Sequence, residues 1–159
     1  MQCIGCGECE KSCAETAISF TEQGVMIDRN KCVICGKCTK ACPTGAINFV
    51  GKSVTVEEAF KEVSKYQAYY KTYGGGVTAS GGEPMLQHSF VKELFKVAKE
   101  NGIHTAVDTS GAVSFDAFEE VLPFTDCVLY DIKLFDSEKH KQYTGLGNEL
   151  ILENLLKIA

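Results

Sequence analysis

Eight cysteines crowd into the first 42 residues of a 159-residue chain, and a ninth, Cys127, stands alone. Cys3, Cys6, Cys9 and Cys13 follow C-x2-C-x2-C-x3-C, and Cys32, Cys35, Cys38 and Cys42 repeat it, with Pro43 behind the last. Three cysteines at three-residue intervals can wrap one face of an iron–sulfur cubane, each meeting a different iron. Gly5, Gly7 and Gly36 supply the small residues that such a turn needs. Structural zinc sites pair two C-x2-C halves across a longer gap and have no need of the third cysteine. Disulfide frameworks belong to small secreted domains, whereas a long cysteine-poor segment follows here. Iron–sulfur chemistry is the expectation, and with it a reducing cytoplasmic location. Cys127, on an apolar stretch, is read as a buried small hydrophobe.

Residues 3–20 and 32–49 align over 18 positions with nine identities, including all four cysteines. In a doubled motif of this kind the fourth cysteine of each copy ligates the other copy's cluster. One [4Fe–4S] cluster is therefore assigned to Cys3, Cys6, Cys9 and Cys42, and a second to Cys13, Cys32, Cys35 and Cys38. Ala14 stands where proline would be usual, a departure that touches only the local turn. Each copy ends in a short strand signal, residues 17–20 and 46–49. The link between them reads as turns, at Gln23-Gly24 and residues 28–30, around a strand at 25–27. Residues 1–52 thus form a ferredoxin-like module too small to bury a core unaided, and metal must hold it together.

The composition changes beyond it. Thr55 to Glu58 is a T-x-x-E capping box, and the apolar spacing behind it predicts one helix to about Thr72. Strands are predicted at 77–80, 103–108 and 127–132, and helices at about 87–101, 115–122, 136–143 and 149–158. Strands separated by helices imply parallel βαβ pairing, so residues 53–159 are α/β with about three β/α units. A slice of a β/α barrel and a small doubly wound sheet both fit. His88, His104 and His140 lie on different elements and form no ligand pair. Tyr66, Tyr69, Tyr70 and Tyr73 read as a helix packing face with an exposed edge. A net charge of −5 with no basic stripe argues against a nucleic-acid partner, and no apolar run is long enough to span a membrane.

Four strings in order then carry a resemblance: GGVTASGGEPMLQ at 75–87, HTAVDTSG at 104–111, VLYDIK at 128–133 and DSEKHKQYTGLGNELILENL at 136–155. With the double-cluster insert ahead of them, the chain resembles the radical S-adenosylmethionine enzymes that activate glycyl radical enzymes, the pyruvate formate-lyase activase family. The resemblance runs the length of the chain and implies a partial radical-S-adenosylmethionine β/α barrel behind the ferredoxin-like module. It implies that Ser80, Gly81, Gly82 and Glu83 lie at the cofactor's amino group. Asp108, Thr109, Leu129, Asp131 and Ile132 match positions around its carboxylate, in some members through a monovalent cation. Lys133 matches a lysine near cofactor and substrate, with a catalytic role. All three groups fall at C-terminal ends of predicted parallel strands, where β/α barrels place their sites. On residue physics alone, Asp108 and Asp131 could equally be capping or solvated loop residues, and Glu83 a turn residue.

The family's chemistry, so implied, is reductive cleavage of S-adenosylmethionine by a third, site-differentiated [4Fe–4S] cluster, followed by hydrogen abstraction from a glycine of a partner enzyme. A flavodoxin- or ferredoxin-type protein would supply the electron. The third cluster needs C-x3-C-x2-C, and no such triplet occurs in these residues. The expectation is therefore a fragment of the activase, inactive alone, whose two clusters are auxiliary. The competing reading is a ferredoxin-type electron-transfer protein with an α/β tail.

Overall fold

The computed structural model describes residues 3–21 and 24–159. It divides into two compact units, Met1–Ser53 and Val54–Ala159. Gln23, expected in a turn, lies outside the described residues.

In the first unit, Gly7 and Gly36 take left-handed backbone conformations and open the short helices α1 (Glu8–Lys11) and α2 (Lys37–Ala41). Strand β1 (Ile18–Thr21) pairs antiparallel with β2 (Gly24–Ile27), the linker strand, in a ladder from Ile18 opposite Ile27 to Thr21 opposite Gly24. The strand expected at 46–49 does not form. The linker strand is taken by β1, and residues 46–49 find no ladder partner among the described residues. The Phe49 amide instead donates to Asn48 Oδ1 at 2.8 Å.

The second unit opens with the capping box: Glu58 N–H donates to Thr55 Oγ1 at 3.2 Å and Thr55 N–H to Glu58 Oε2 at 2.9 Å. The single helix expected from it is two, α3 (Val56–Ser64) and α4 (Gln67–Tyr73), separated at Tyr66, whose φ of −104° and ψ of 9° leave the helical range. The tyrosine face is a correction as well. Tyr66, Tyr69 and Tyr73 are exposed, with Tyr69 and Tyr73 stacked at 4.7 Å, and only Tyr70 is half-buried.

Three parallel strands follow, β3 (Gly76–Ala79), β4 (His104–Thr109) and β5 (Cys127–Tyr130), in that spatial order. Gly76 sits opposite His104, and a Cβ there would lie 1.9 Å from the His104 carbonyl oxygen, so only glycine permits this pairing. Helix α5 (His88–Glu100) returns the chain from β3 to β4, and α6 (Phe115–Val121) from β4 to β5. Helices α7 (Ser137–Thr144) and α8 (Glu149–Ile158) end it. The core lies between sheet and crossover helices, where Phe95, Val107, Phe118 and Val121 are almost wholly buried with Met85. Burying such side chains contributes about 1.5–3 kcal/mol each. Cys127 is exposed, not buried: it shares a face of β5 with exposed Leu129, opposite the face on which Val128 and Tyr130 pack against the core. No helix among the described residues is long and apolar enough to cross a membrane.

Candidate functional site

Two cavities in the first unit gather the cysteines. One, of about 190 Å3, is lined by Cys13, Cys32, Cys35 and Cys38. The other, of about 310 Å3, is lined by Cys3, Cys6, Cys9 and Cys42. Each fourth cysteine thus faces the other copy's triplet. Burial pushes the Cys9 thiol up and backbone contacts at Glu10 and Cys9 oppose it, but the neighbouring Cys3 and Cys42 sulfurs add to the rise. The Cys42 thiol is lowered to about 7, first by the Ile47 backbone N–H and then by the Thr44 hydroxyl. The Gly5 amide donates to Cys3 Sγ at 3.4 Å and the Ala17 amide to Cys13 Sγ at 3.3 Å. All nine cysteines are free of disulfides.

Among the described residues no three His, Cys, Asp or Glu side chains converge on one ion position. Soft sulfur ligands, donors aimed at those sulfurs and an apolar wall (Ile18, Ile27 and Ile47 among it) form surroundings suited to a cluster.

In the second unit the candidate residues meet where the three parallel strands end. The chain leaves β3 through Ser80, Gly81 and Gly82, all exposed, and Glu83 then turns back across the sheet. Glu83 Oε1 accepts the Thr109 hydroxyl at 2.7 Å and the Met85 amide at 3.1 Å. Its Oε2 accepts the Ser110 amide at 2.9 Å and the Ser110 hydroxyl at 2.6 Å. Partial burial would raise this carboxyl, but the Ser110 and Thr109 hydroxyls and the Met85 and Ser110 amides outweigh it and hold it below its ordinary value. Through these bonds Glu83 ties the end of β3 to the end of β4. The Thr109 hydroxyl is equally engaged, since it also accepts the Gly111 amide at 3.0 Å, and Thr109 is 2% exposed.

What stays open lies beside that clamp. Asp108 is half-buried and accepts the Ser80 hydroxyl at 3.0 Å. Leu129, 49% exposed, stands opposite Asp108 in register, and the Asp131 amide donates to the Thr109 carbonyl at 2.9 Å. Asp131 and Lys133 are exposed and paired with each other, with Ile132 half-buried between them. A Cβ built on Gly81 or Gly82 meets nothing within 4 Å, so the backbone there faces open space. Acceptors at Asp108 and Asp131, a cation at Lys133 and bare backbone at Gly81-Gly82 suit a ligand carrying both an ammonium and a carboxylate.

A second layer holds this rim. Asn154, fully buried on α8, donates to the carbonyls of Gly111 at 2.9 Å and Val113 at 2.8 Å. The Tyr130 hydroxyl donates to the Ile151 carbonyl at 2.7 Å. Burial, then the Glu83 charge, pushes that phenol up to about 12. Gly111 has φ of +75°, and a Cβ there would fall 1.8 Å from the Tyr130 hydroxyl. Ser110, Tyr130 and Asn154 were not among the residues expected from sequence. All three lie within the family-like strings, but their roles depend on distant partners: Asn154 is joined to Gly111 across 43 residues and has no local signature. His140, buried, bonds the Leu146 carbonyl at 2.7 Å and closes the turn after α7.

Residues 2–46 match the 4Fe-4S dicluster domain, and residues 29–159 match the radical SAM superfamily. These matches indicate 4Fe–4S cluster binding and S-adenosylmethionine as cofactors. The chain is 44% identical over 156 residues to the (2S)-3-sulfopropanediol dehydratase activating enzyme of Klebsiella oxytoca, covering 97% of this chain and 49% of the relative. It is 45% identical over 112 residues to the pyruvate formate-lyase-activating enzyme of Staphylococcus aureus strain USA300, covering 67% of this chain and 45% of the relative. A crystal structure of a domain of pyruvate-formate lyase-activating enzyme from Bacteroides vulgatus aligns with a TM-score of 0.49 at 38% identity, over 53% of this chain and 52% of that one. The chain spans about half the length of the curated relatives it matches.

Proposed function

We propose, from the premise that the chain belongs to the radical SAM superfamily, that it carries the auxiliary-cluster module and part of the cofactor site of a glycyl-radical enzyme activase. The observation that carries this reading is the Glu83 clamp, which fastens the GGE segment to the Thr109-Ser110 segment at one end of a parallel sheet. Residues 1–52 are assigned as the double-cluster module and 53–159 as a partial β/α barrel of about three units. The order β3-β4-β5, with each strand beside its successor, is the order that a β/α barrel requires.

Bound S-adenosylmethionine, reduced by a site-differentiated cluster, would supply the radical chemistry. The chain's own residues bind and orient. Gly81-Gly82 offers backbone to the cofactor's ammonium group. Asp108 and Asp131, with the Leu129 carbonyl, hold the carboxylate end, where a monovalent cation would offset like charge. Lys133, at the end of β5, stands beside cofactor and substrate as the assigned catalytic group. Glu83 and Thr109 act as positioning residues, because their side-chain oxygens are already taken. Cys3, Cys6, Cys9 and Cys42 hold one auxiliary cluster, and Cys13, Cys32, Cys35 and Cys38 the other, in relay or bracing roles. The protein partner would be a glycyl radical enzyme, with a flavodoxin- or ferredoxin-type donor of electrons.

Anaerobic reconstitution of the chain should load about eight irons, the content of two cubanes. S-adenosylmethionine should bind saturably, in equilibrium dialysis, to a chain extended at its N-terminus to carry the C-x3-C-x2-C triplet, with affinity reduced about tenfold in Asp131→Asn, as for loss of one charged contact. An extended chain that loads iron but binds no S-adenosylmethionine would favour the ferredoxin-type electron-transfer reading instead.

A further inference from the structure

The two copies of the cysteine motif are related by a shift of 29 residues, from Cys3 to Cys32, so each ligand has a counterpart whose surroundings can be compared. Cys13 and Cys42 are such a pair, and two residues beyond them stand Glu15 and Thr44. Here the symmetry fails. Thr44 Oγ1 lies 3.6 Å from Cys42 Sγ, within the longer reach of a hydrogen bond to sulfur. Glu15 is exposed at the border of the other cavity. A metal-bound thiolate has no proton to give, so between Thr44 and Cys42 the hydroxyl must be the donor. An ionised carboxylate in the counterpart position cannot donate at all.

We propose that the Thr44 hydroxyl donates to the Cys42 thiolate and raises the reduction potential of the cluster held by Cys3, Cys6, Cys9 and Cys42, an adjustment the other half lacks. Reduction adds one electron to a [4Fe–4S]2+ cluster and forms [4Fe–4S]1+, with no bond to carbon made or broken. The added charge spreads onto the sulfurs, and an O–H dipole aimed at one of them stabilises the reduced form more than the oxidised. Thr44 is half-buried, so water competes for this bond less than at an exposed side chain. Arg29 and Lys37 border the other cavity, but both are exposed and their fields are screened, whereas Thr44 touches a ligand directly. The comparison is therefore each cluster against its own variant. The inference rests on the cluster assignment above.

The test is a dithionite titration of the anaerobically reconstituted full chain, followed by the electron paramagnetic resonance of the reduced clusters. Thr44→Val should move one of two one-electron components to lower potential by about tenfold in the reduction equilibrium, 59 mV for one electron. Thr44→Ser, which keeps the hydroxyl, should leave both in place. In the other half, Glu15→Thr should raise the second component beyond the baseline of Glu15→Ala, which removes the charge alone. An unmoved component in Thr44→Val, an equal shift of both, or a Thr44→Ser variant that behaves like the valine would overturn the proposal. Should Thr44→Val fail to retain iron, Glu15→Thr decides, and no rise over Glu15→Ala refutes the hydroxyl effect. Wild type that takes up no iron would overturn the cluster reading and this proposal together; full iron with unshifted potentials would overturn this proposal alone.

Discussion

Replacing Glu83 by glutamine tests whether the clamp at the end of β3 does what its geometry implies. The carboxylate accepts Thr109 Oγ1 and the Met85 amide on one oxygen, and the Ser110 amide and hydroxyl on the other. An amide puts NH2 in place of one oxygen, so the Met85 or the Ser110 backbone N–H must face another donor. The hydroxyls can rotate away; the backbone N–H cannot. One hydrogen bond to a charged acceptor is lost, at about 1.5–3 kcal/mol, and the rest fall to neutral strength. Glu83 is only half-buried, so water recovers part of this, and the net loss should be about 2 kcal/mol. Urea unfolding followed by circular dichroism measures it. The pH dependence adds a second constraint. The folded-state carboxyl lies below its ordinary value of 4.5, so its contribution is present above that pH and fades as pH falls through the folded value. Wild type and Glu83→Gln should therefore differ fully at neutral pH and converge in acid. A difference below about 0.5 kcal/mol, the range of an ordinary surface substitution, or one that persists unchanged in acid, would refute the reasoning.

Asn154→Leu keeps the branched outline and heavy-atom count but removes two buried bonds, leaving the Gly111 and Val113 carbonyls unpaired; unfolding free energy should fall by about 3 kcal/mol, and amide exchange at residues 110–113 should quicken. At the opposite end of the sheet, the Asp126 carboxyl is lowered to about 2, first by Lys99 and then by the Thr105 backbone. Its stabilisation is present above the ordinary value of 3.8 and lost as pH falls from there towards 2, so Asp126→Asn should flatten the acid limb of a melting-temperature profile across that window.

The residues that govern chemistry were legible wherever the spacing itself carries the physics. A cubane dictates the intervals among Cys3, Cys6 and Cys9, and the Thr55 to Glu58 cap needs only one turn of chain. Strand and helix alternation announced the parallel sheet, because the period of burial is local. Where the outcome depended on neighbours, local signals fell short. Cys127 looked buried, yet it lies on the face of β5 turned away from the core that Val128 and Tyr130 pack against. Residues 46–49 looked like a strand, but β1 holds the linker strand that would have been their partner.

Composition and spacing alone determined which residue types could bind iron and which strings end the strands. Only the tertiary structure decided how the oxygens of those strings are used. It bonds the Thr109 hydroxyl to the Glu83 carboxylate and Glu83 to Ser110, holds Asp108 half-buried against Ser80, and leaves Asp131 and Lys133 exposed and paired. The physical reason is that hydrogen-bond capacity is finite. A side chain's role depends on which partners arrive first, and here Glu83 meets Ser110 across 27 residues and Asn154 meets Gly111 across 43.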